Sequence, residues 1–180
     1  DLAPAGPRYA EDAQVQAFYT QLGDRLAQIG GVEKVGFTSH LPMYRFGWNG
    51  EFQIDGNLPW DPRNAPLVEY RWVHGDYFGA LGIPLVKGRW LDSRDGPQSR
   101  AVLINQAMAE KFWPDQDPIG QRFGQGADRA QWFEVAGVVG SVRTFSLTSN
   151  AAYEFYRTLN QSSFNAMTGV IRTANADPAS

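Results

Sequence analysis

The sequence holds two histidines, His40 and His74, and no cysteine. Metal and nucleophile chemistry draw on these residue types, and a zinc-binding helix would carry its histidines in an HExxH spacing. His40 and His74 stand thirty-four positions apart, so they read as turn or strand-end residues; a zinc site would need carboxylates brought in by folding. Gly120, Gly124 and Gly126 form G-x-x-x-G-x-G, which superficially resembles a phosphate loop. It lacks the Lys-Ser/Thr pair that grips phosphate and magnesium, so a glycine-rich hairpin is the reading, and nucleotide chemistry belongs to another domain or chain. Asp115-Gln116-Asp117-Pro118-Ile119-Gly120 begins like a calcium loop, but Ile119 stands where an oxygen ligand is needed and no glutamate closes it; a capped turn is expected. No serine lies in G-x-S-x-G, and paired carboxylates for glycoside hydrolysis would assemble only by folding.

Aromatic side chains are the other candidates. Trp48, Trp60 and Trp90, with Tyr44 and Phe46, could form a platform for a sugar or an apolar ligand, although aromatics more commonly build cores. Trp48 and Trp60 fall in turn-rich stretches and are the candidates for contact with a partner.

These residues need elements to hold them. Val15, Phe18, Tyr19, Leu22, Leu26 and Ile29 recur at helical spacing, which predicts an amphipathic helix over 11–29, stopped by Gly30-Gly31. A strand is expected over Val32 to Ser39, then loops and short strands to residue 74, with Val68, Tyr70 and Trp72 lining one strand face. Asp76 to Leu81 reads as a helical turn ended by Gly82, and Ile83 to Val86 as a strand running into Gly88. Tyr77, Phe78 and Leu81 should anchor that turn. Ala101 to Ile104 is a strand, Asn105 an N-cap, and Ala107 to Trp113 a helix broken at Pro114. Further strands are expected over Gln131 to Val139, Tyr153 to Thr158 and Met167 to Thr173. Strands interspersed with few short helices, without regular βαβ spacing, predict an α+β fold.

Composition narrows the class. The 180 residues, 43% hydrophobic, are enough for a sizeable core, and the net charge of -3 with scattered basic residues opposes nucleic-acid binding. No segment of the sequence approaches the roughly 18 to 20 apolar residues of a membrane span. The first residue is Asp1 and the last Ser180, after an Asp177-Pro178 pair suited to starting a helix; the expectation is a fragment of a longer polypeptide.

Three stretches resemble one family. Gly75-Asp76-Tyr77-Phe78, with Gly82, Gly88, Arg89 and Trp90, is similar to the G-x-Y-F-x-x-x-G-x-x-x-x-x-G-R signature of MacB-like periplasmic core domains. Ala101 to Asn105, with Ala107, Phe112, Trp113, Pro114, Asp117, Pro118, Ile119, Gly120 and Gln121, resembles that family's V-x-x-N…A…F-W-P…D-P-I-G segment. Phe133 to Arg143, which contains Gly137, resembles its V-x-G-V-V-x-D-V-R strand, with Ser141 where aspartate is frequent. The order and spacing agree across nearly the whole chain.

The resemblance implies a two-lobed periplasmic domain of an ABC transporter permease of the FtsX/MacB type, lying between two transmembrane helices. It implies a porter-like βαβ lobe from residues 1–74 and 147–180 and an inserted mixed lobe from 75–146. It implies no catalytic, cofactor or metal residue here, with ATP used by a separate cytoplasmic ATPase. The implied partners are a second permease copy, that ATPase, and a periplasmic adaptor or substrate protein. Tyr77, Phe78, Gly82, Gly88, Asn105, Pro114, Gly120 and Gly137 become structural motif positions. Two other readings stand beside it: a ligand-binding sensor ectodomain, which would need an apolar or aromatic cleft, and a secreted hydrolase, which would need a convergent polar pocket.

Overall fold

The computed structural model describes residues 2–44, 47–56, 63, 65–124, 132–143 and 150–174. A 3-10 turn at Pro7–Tyr9 leads into helix α1, Asp12–Ala27, and strand β1, Val32–Thr38. Strands β2, Trp48–Glu51, β3, Gln53–Ile54, and β4, Leu67–Gly75, precede the short helix α2, Tyr77–Leu81, and strand β5, Leu85–Gly88. Strand β6, Ala101–Asn105, runs directly into helix α3, Gln106–Phe112, and strands β7, Arg122–Gly124, β8, Phe133–Val139, β9, Glu154–Thr158, and β10, Thr168–Thr173, complete the order.

Among the described residues ten strands join one mixed sheet, ordered β10-β1-β4-β9-β6-β8-β7-β3, with β2 added to β4 and β5 to β8. The β4–β9 and β6–β8 pairs are parallel and the others antiparallel. This is the mixed α and β class with sheet dominant. Parallel neighbours cannot be joined by a tight turn, and α3 lies on the connection between β6 and β8 as that geometry requires.

Side chains alternate across each strand, so the sheet has two faces to cover. One face carries two cores. Val15 and Tyr19 of α1 pack on Val35 and Phe37, while Met108 and Trp113 from the α3 region pack with Phe52, Val68, Ile104, Phe123 and Phe155. On the opposite face Tyr77, Phe78 and Ile83 pack on Val73, Leu103, Val139 and Tyr156. The Tyr19 hydroxyl donates to the Leu2 carbonyl (2.7 Å) and accepts from the Met167 amide (3.2 Å), which ties α1 to both ends of the chain.

Several boundaries differ from expectation for local reasons. The first helix stops at Ala27, two residues early, and Ile29 lies exposed outside it; Gly31, at φ 85°, makes the reversal into β1. The strand expected at Ile83 begins at Leu85, because the Ile83 amide is held by the Phe78 carbonyl (2.8 Å) as the closing bond of α2. The strand expected from Gln131 begins at Phe133, and those expected from Tyr153 and Met167 begin one residue later. Leu81 is exposed and does not anchor its helix. In β4, Val68, Tyr70 and Trp72 do share a face, but Glu69, Arg71 and Val73 on the other are all buried.

Gly88 and Gly137 are register partners on β5 and β8. A side chain at Gly137 would run into the Arg89 carbonyl, and Gly88 also holds φ 77°, a region that suits glycine. Gly137→Ala is therefore expected to destabilise by roughly 1 to 3 kcal/mol through overpacking. Phe78, which meets the rings of Tyr77, Trp90 and Tyr156, should lose roughly 3 to 5 kcal/mol as Phe78→Ala. Urea unfolding of the three proteins checks both, and an unchanged midpoint for Phe78→Ala would mean that the ring faces a partner.

Candidate functional site

The Gly75 to Trp90 stretch builds a shape. Asp76 caps α2 by accepting the Gly79 amide (3.0 Å) and pairs with Lys34 of β1 (2.9 Å). Gly82 takes φ 72° at the far end, and Tyr77 and Phe78 between them are buried. Beyond β5, Arg89 grips Asp95 with two bonds of 2.7 and 2.9 Å. The same carboxylate accepts the Asp92 amide (2.9 Å) and the Ser99 hydroxyl (3.1 Å), so it closes the 92–99 turn. The Arg89 guanidinium holds the Asp95 carboxyl below its ordinary value. Two clefts of about 400 and 430 Å³ share His74, Gly75 and Asp76. The first continues over Phe78 and Trp90 to Asp92 and Asn160, the second over Tyr19, Asp24 and Lys34.

The second motif also ties elements together. Asn105 caps α3 by accepting the Met108 amide (3.0 Å), accepts the Glu154 amide (3.2 Å), and donates to the Ala152 carbonyl (2.7 Å). Helix α3 ends at Phe112, with Trp113 as its cap before Pro114. Asp117 accepts the Ile119 amide (2.9 Å) and pairs with Lys87 (2.9 Å), and Gly120 at φ 81° turns the chain back toward β7. Among the described residues no cluster of three His, Asp or Glu is placed to hold a metal. His40 is buried, bonded at Nδ1 to the Ser39 hydroxyl (2.9 Å), and its ring lies against Gly47, where no side chain would fit. His74 pairs with the Thr20 hydroxyl (3.0 Å), and burial lowers its pKa. Trp48 is 56% exposed at the start of β2; Trp60, Phe46 and Gly126 lie outside the described residues.

The sequence reading missed a polar cluster sealed inside the sheet. Arg71 and Glu154 are both fully buried and meet at 2.8 Å. Arg71 also donates to the His40 carbonyl (2.7 Å), and the Tyr156 hydroxyl donates to the second Glu154 oxygen (2.5 Å). Glu69 stands directly opposite Glu154 in the β4–β9 register and accepts from Asn49 of β2 (2.9 Å). Two buried carboxylates thus stand beside each other near one guanidinium, which bonds Glu154. Burial pushes the Glu69 carboxyl up against the help of Asn49 and Arg71, burial lifts Tyr77 to about 12, and burial with the nearby Glu154 raises Tyr156. Burial pulls Arg71 down, but the Glu154 carboxylate more than offsets it. This arrangement binds three strands and the β1–β2 loop; it offers no reacting group to solvent.

Residues 7–179 match the family described as MacB-like periplasmic core domain. The chain belongs to that family. No curated protein sequence matches it. Among solved structures it is similar to the periplasmic region of MacB from Actinobacillus actinomycetemcomitans, with a TM-score of 0.57 and 14% identity, over 88% of this chain and 66% of that one. It is also similar to the extracellular domain of the noncanonic ABC-type transporter YknZ from Gram-positive bacteria, with a TM-score of 0.54 and 19% identity, over 87% of this chain and 73% of that one. A domain of a putative permease protein from Porphyromonas gingivalis gives 0.53 and 15%, over 86% and 67%. The chain spans slightly less than two thirds of the MacB region that it matches. At these identities the likeness is one of fold, and the MacB-like core domain is a mixed sheet with few helices.

Two outcomes are expected for the buried cluster. Arg71→Met should cost roughly 3 to 5 kcal/mol by stranding Glu154, whereas Arg71→Met with Glu154→Leu should recover part of the loss; thermal unfolding of the single and double variants checks this. Glu69 has its folded-state pKa raised, so its contribution to stability is present below the ordinary glutamate range and is lost as pH rises through the raised value. Glu69→Gln should therefore melt higher than the unchanged chain at pH 7.5 and approach it at pH 4.5, the reverse of what a stabilising ionised carboxylate would give.

Proposed function

We propose that this MacB-like core domain is the extracytoplasmic part of an ABC transporter permease subunit, located on the periplasmic face of the inner membrane and anchored by flanking transmembrane helices. In this reading it performs no bond chemistry and holds no cofactor. A cytoplasmic ATPase domain or subunit hydrolyses ATP, and the resulting helix movement displaces this domain against that of a second permease copy, driving export or extraction of a substrate outside the membrane. A periplasmic adaptor or the substrate protein is the further partner. The observation that carries the reading is the family match over residues 7–179.

The packing suits such a transmitter. A mixed sheet whose two faces are filled by aromatic clusters moves as a body, because close-packed interiors have little room to absorb a displacement. The proposed two-lobe division, 1–74 with 147–180 against 75–146, is supported by strand order. The run β10-β1-β4-β9 is drawn from the first set and β6-β8-β7 from the second, with β3 an exception that reaches across to β7.

The absence of cysteine makes the test direct. Spin labels on Trp48→Cys and Val86→Cys, both at exposed positions, would be placed in the whole permease assembled with its ATPase and freed of other thiols. Between copies, the label distances should change when a non-hydrolysable ATP analogue binds, while the distance from 48 to 86 within one copy stays fixed. Unchanged distances between copies, or saturable ATP binding by the isolated domain in calorimetry, would overturn the reading.

A further inference from the structure

Arg157 lies in a different setting from Arg71 and Arg89. Arg71 meets Glu154 and Arg89 meets Asp95, each as a hydrogen-bonded ion pair. The guanidinium of Arg157 lies over two rings instead, 5.9 Å from the centroid of Trp72 and 5.3 Å from that of Phe133. Among the described residues no carboxylate pairs with it, and its Nε, like that of Arg71, is buried without a hydrogen-bond acceptor. Burial, together with the like charge of Arg100, lowers the Arg157 pKa.

The register explains this placement. Arg157 is the β9 partner of Trp72 on β4, on the sheet face shared by α1 and α3. Arg100 immediately precedes β6, two residues before Val102 of that face, and its carbonyl accepts the Glu134 amide (2.9 Å). Trp72 is held rigidly, its indole N–H donating to the Ser162 hydroxyl (3.0 Å) and its ring stacked at 4.9 Å on Phe164. Trp72, Phe133, Phe164 and Arg157 are each half-buried, so the corner retains access to solvent. Stacking on rings compensates a guanidinium face but none of its N–H donors, and a desolvated donor without an acceptor is a cost that folded proteins ordinarily avoid. In a chain of net charge -3, Arg157 beside Trp72 and Phe133, with Arg100 at the approach to β6, forms a local field and surface complementary to an anion with an apolar body.

We propose that this corner is a binding site for an acidic amphiphile, its carboxylate or phosphate monoester head on Arg157 and Arg100 and its apolar body against the solvent-accessible parts of Trp72, Phe164 and Phe133. The site is independent of the transporter reading. Titration calorimetry of the 180-residue chain with octyl phosphate, octanoate, octyl glucoside and inorganic phosphate, all below micellar concentrations, tests it. Saturable binding of octyl phosphate or octanoate is expected, and the tighter of the two identifies the head. Loss of the charge-assisted bonds in Arg157→Gln should weaken it by about tenfold or more. Arg100→Gln, at an exposed position, should weaken it several-fold and carries the test if circular dichroism shows Arg157→Gln unfolded. Absence of saturation with both acidic probes, equal binding of octyl glucoside or of inorganic phosphate alone, or isotherms unchanged by the substitutions would overturn the proposal.

Discussion

The fully buried pair of Arg71 and Glu154 is the constraint around which the sheet is arranged. Two charges taken out of water at the β4–β9 junction require that the strands stay parallel and in register, because a slip of β9 by one residue would put Glu154 on the face opposite Arg71. The pair also reaches outward: Arg71 fixes the His40 carbonyl, Tyr156 fixes Glu154, and Asn105 holds the Glu154 amide while capping α3. Replacing such a pair with apolar groups is often neutral for stability, so its value here is as a specification of register. One pairing ties together β4, β9, the β1–β2 loop and the start of α3.

That constraint was the part least legible in the sequence. Alternation along Leu67 to Gly75 places Glu69 and Arg71 on the face that polar residues normally present to water, and nothing local indicates that Glu154, eighty-three positions from Arg71, will meet it. The legible parts are those decided locally. Helical spacing set α1, glycine geometry set Gly82 and Gly88, and the Asn105 cap followed from a short polar side chain before an apolar run. Family resemblance supplied what local patterns lacked, since it drew on the order of motifs along the chain. It did not reveal what Arg89 grips, because Asp95 acts through a turn and not through a spacing.

Stiffness follows from where the polar groups are spent. The β4–β9 junction is held by charge, the β5–β8 pair by a glycine contact too close for side chains, and the faces between them by stacked and edge-to-face rings. Each is a short-range interaction that fails abruptly instead of stretching. A body built this way is stiff and leaves any yielding to its loops and clefts, such as the pair meeting at His74 to Asp76.

Arg71 and Arg157 differ by what the fold gives them, and the difference bears on role. Both are on neighbouring central strands and both lose hydration, but Arg71 receives a carboxylate and a carbonyl while Arg157 receives two ring faces and a like charge. A guanidinium kept only to pack against Trp72 and Phe133 could be replaced by a methionine or leucine, which fills the same space without an unmet donor. A sheet that satisfies its charges at Arg71, Arg89 and Lys34 yet leaves Arg157 over aromatic rings has, at that position, a feature that packing alone does not require.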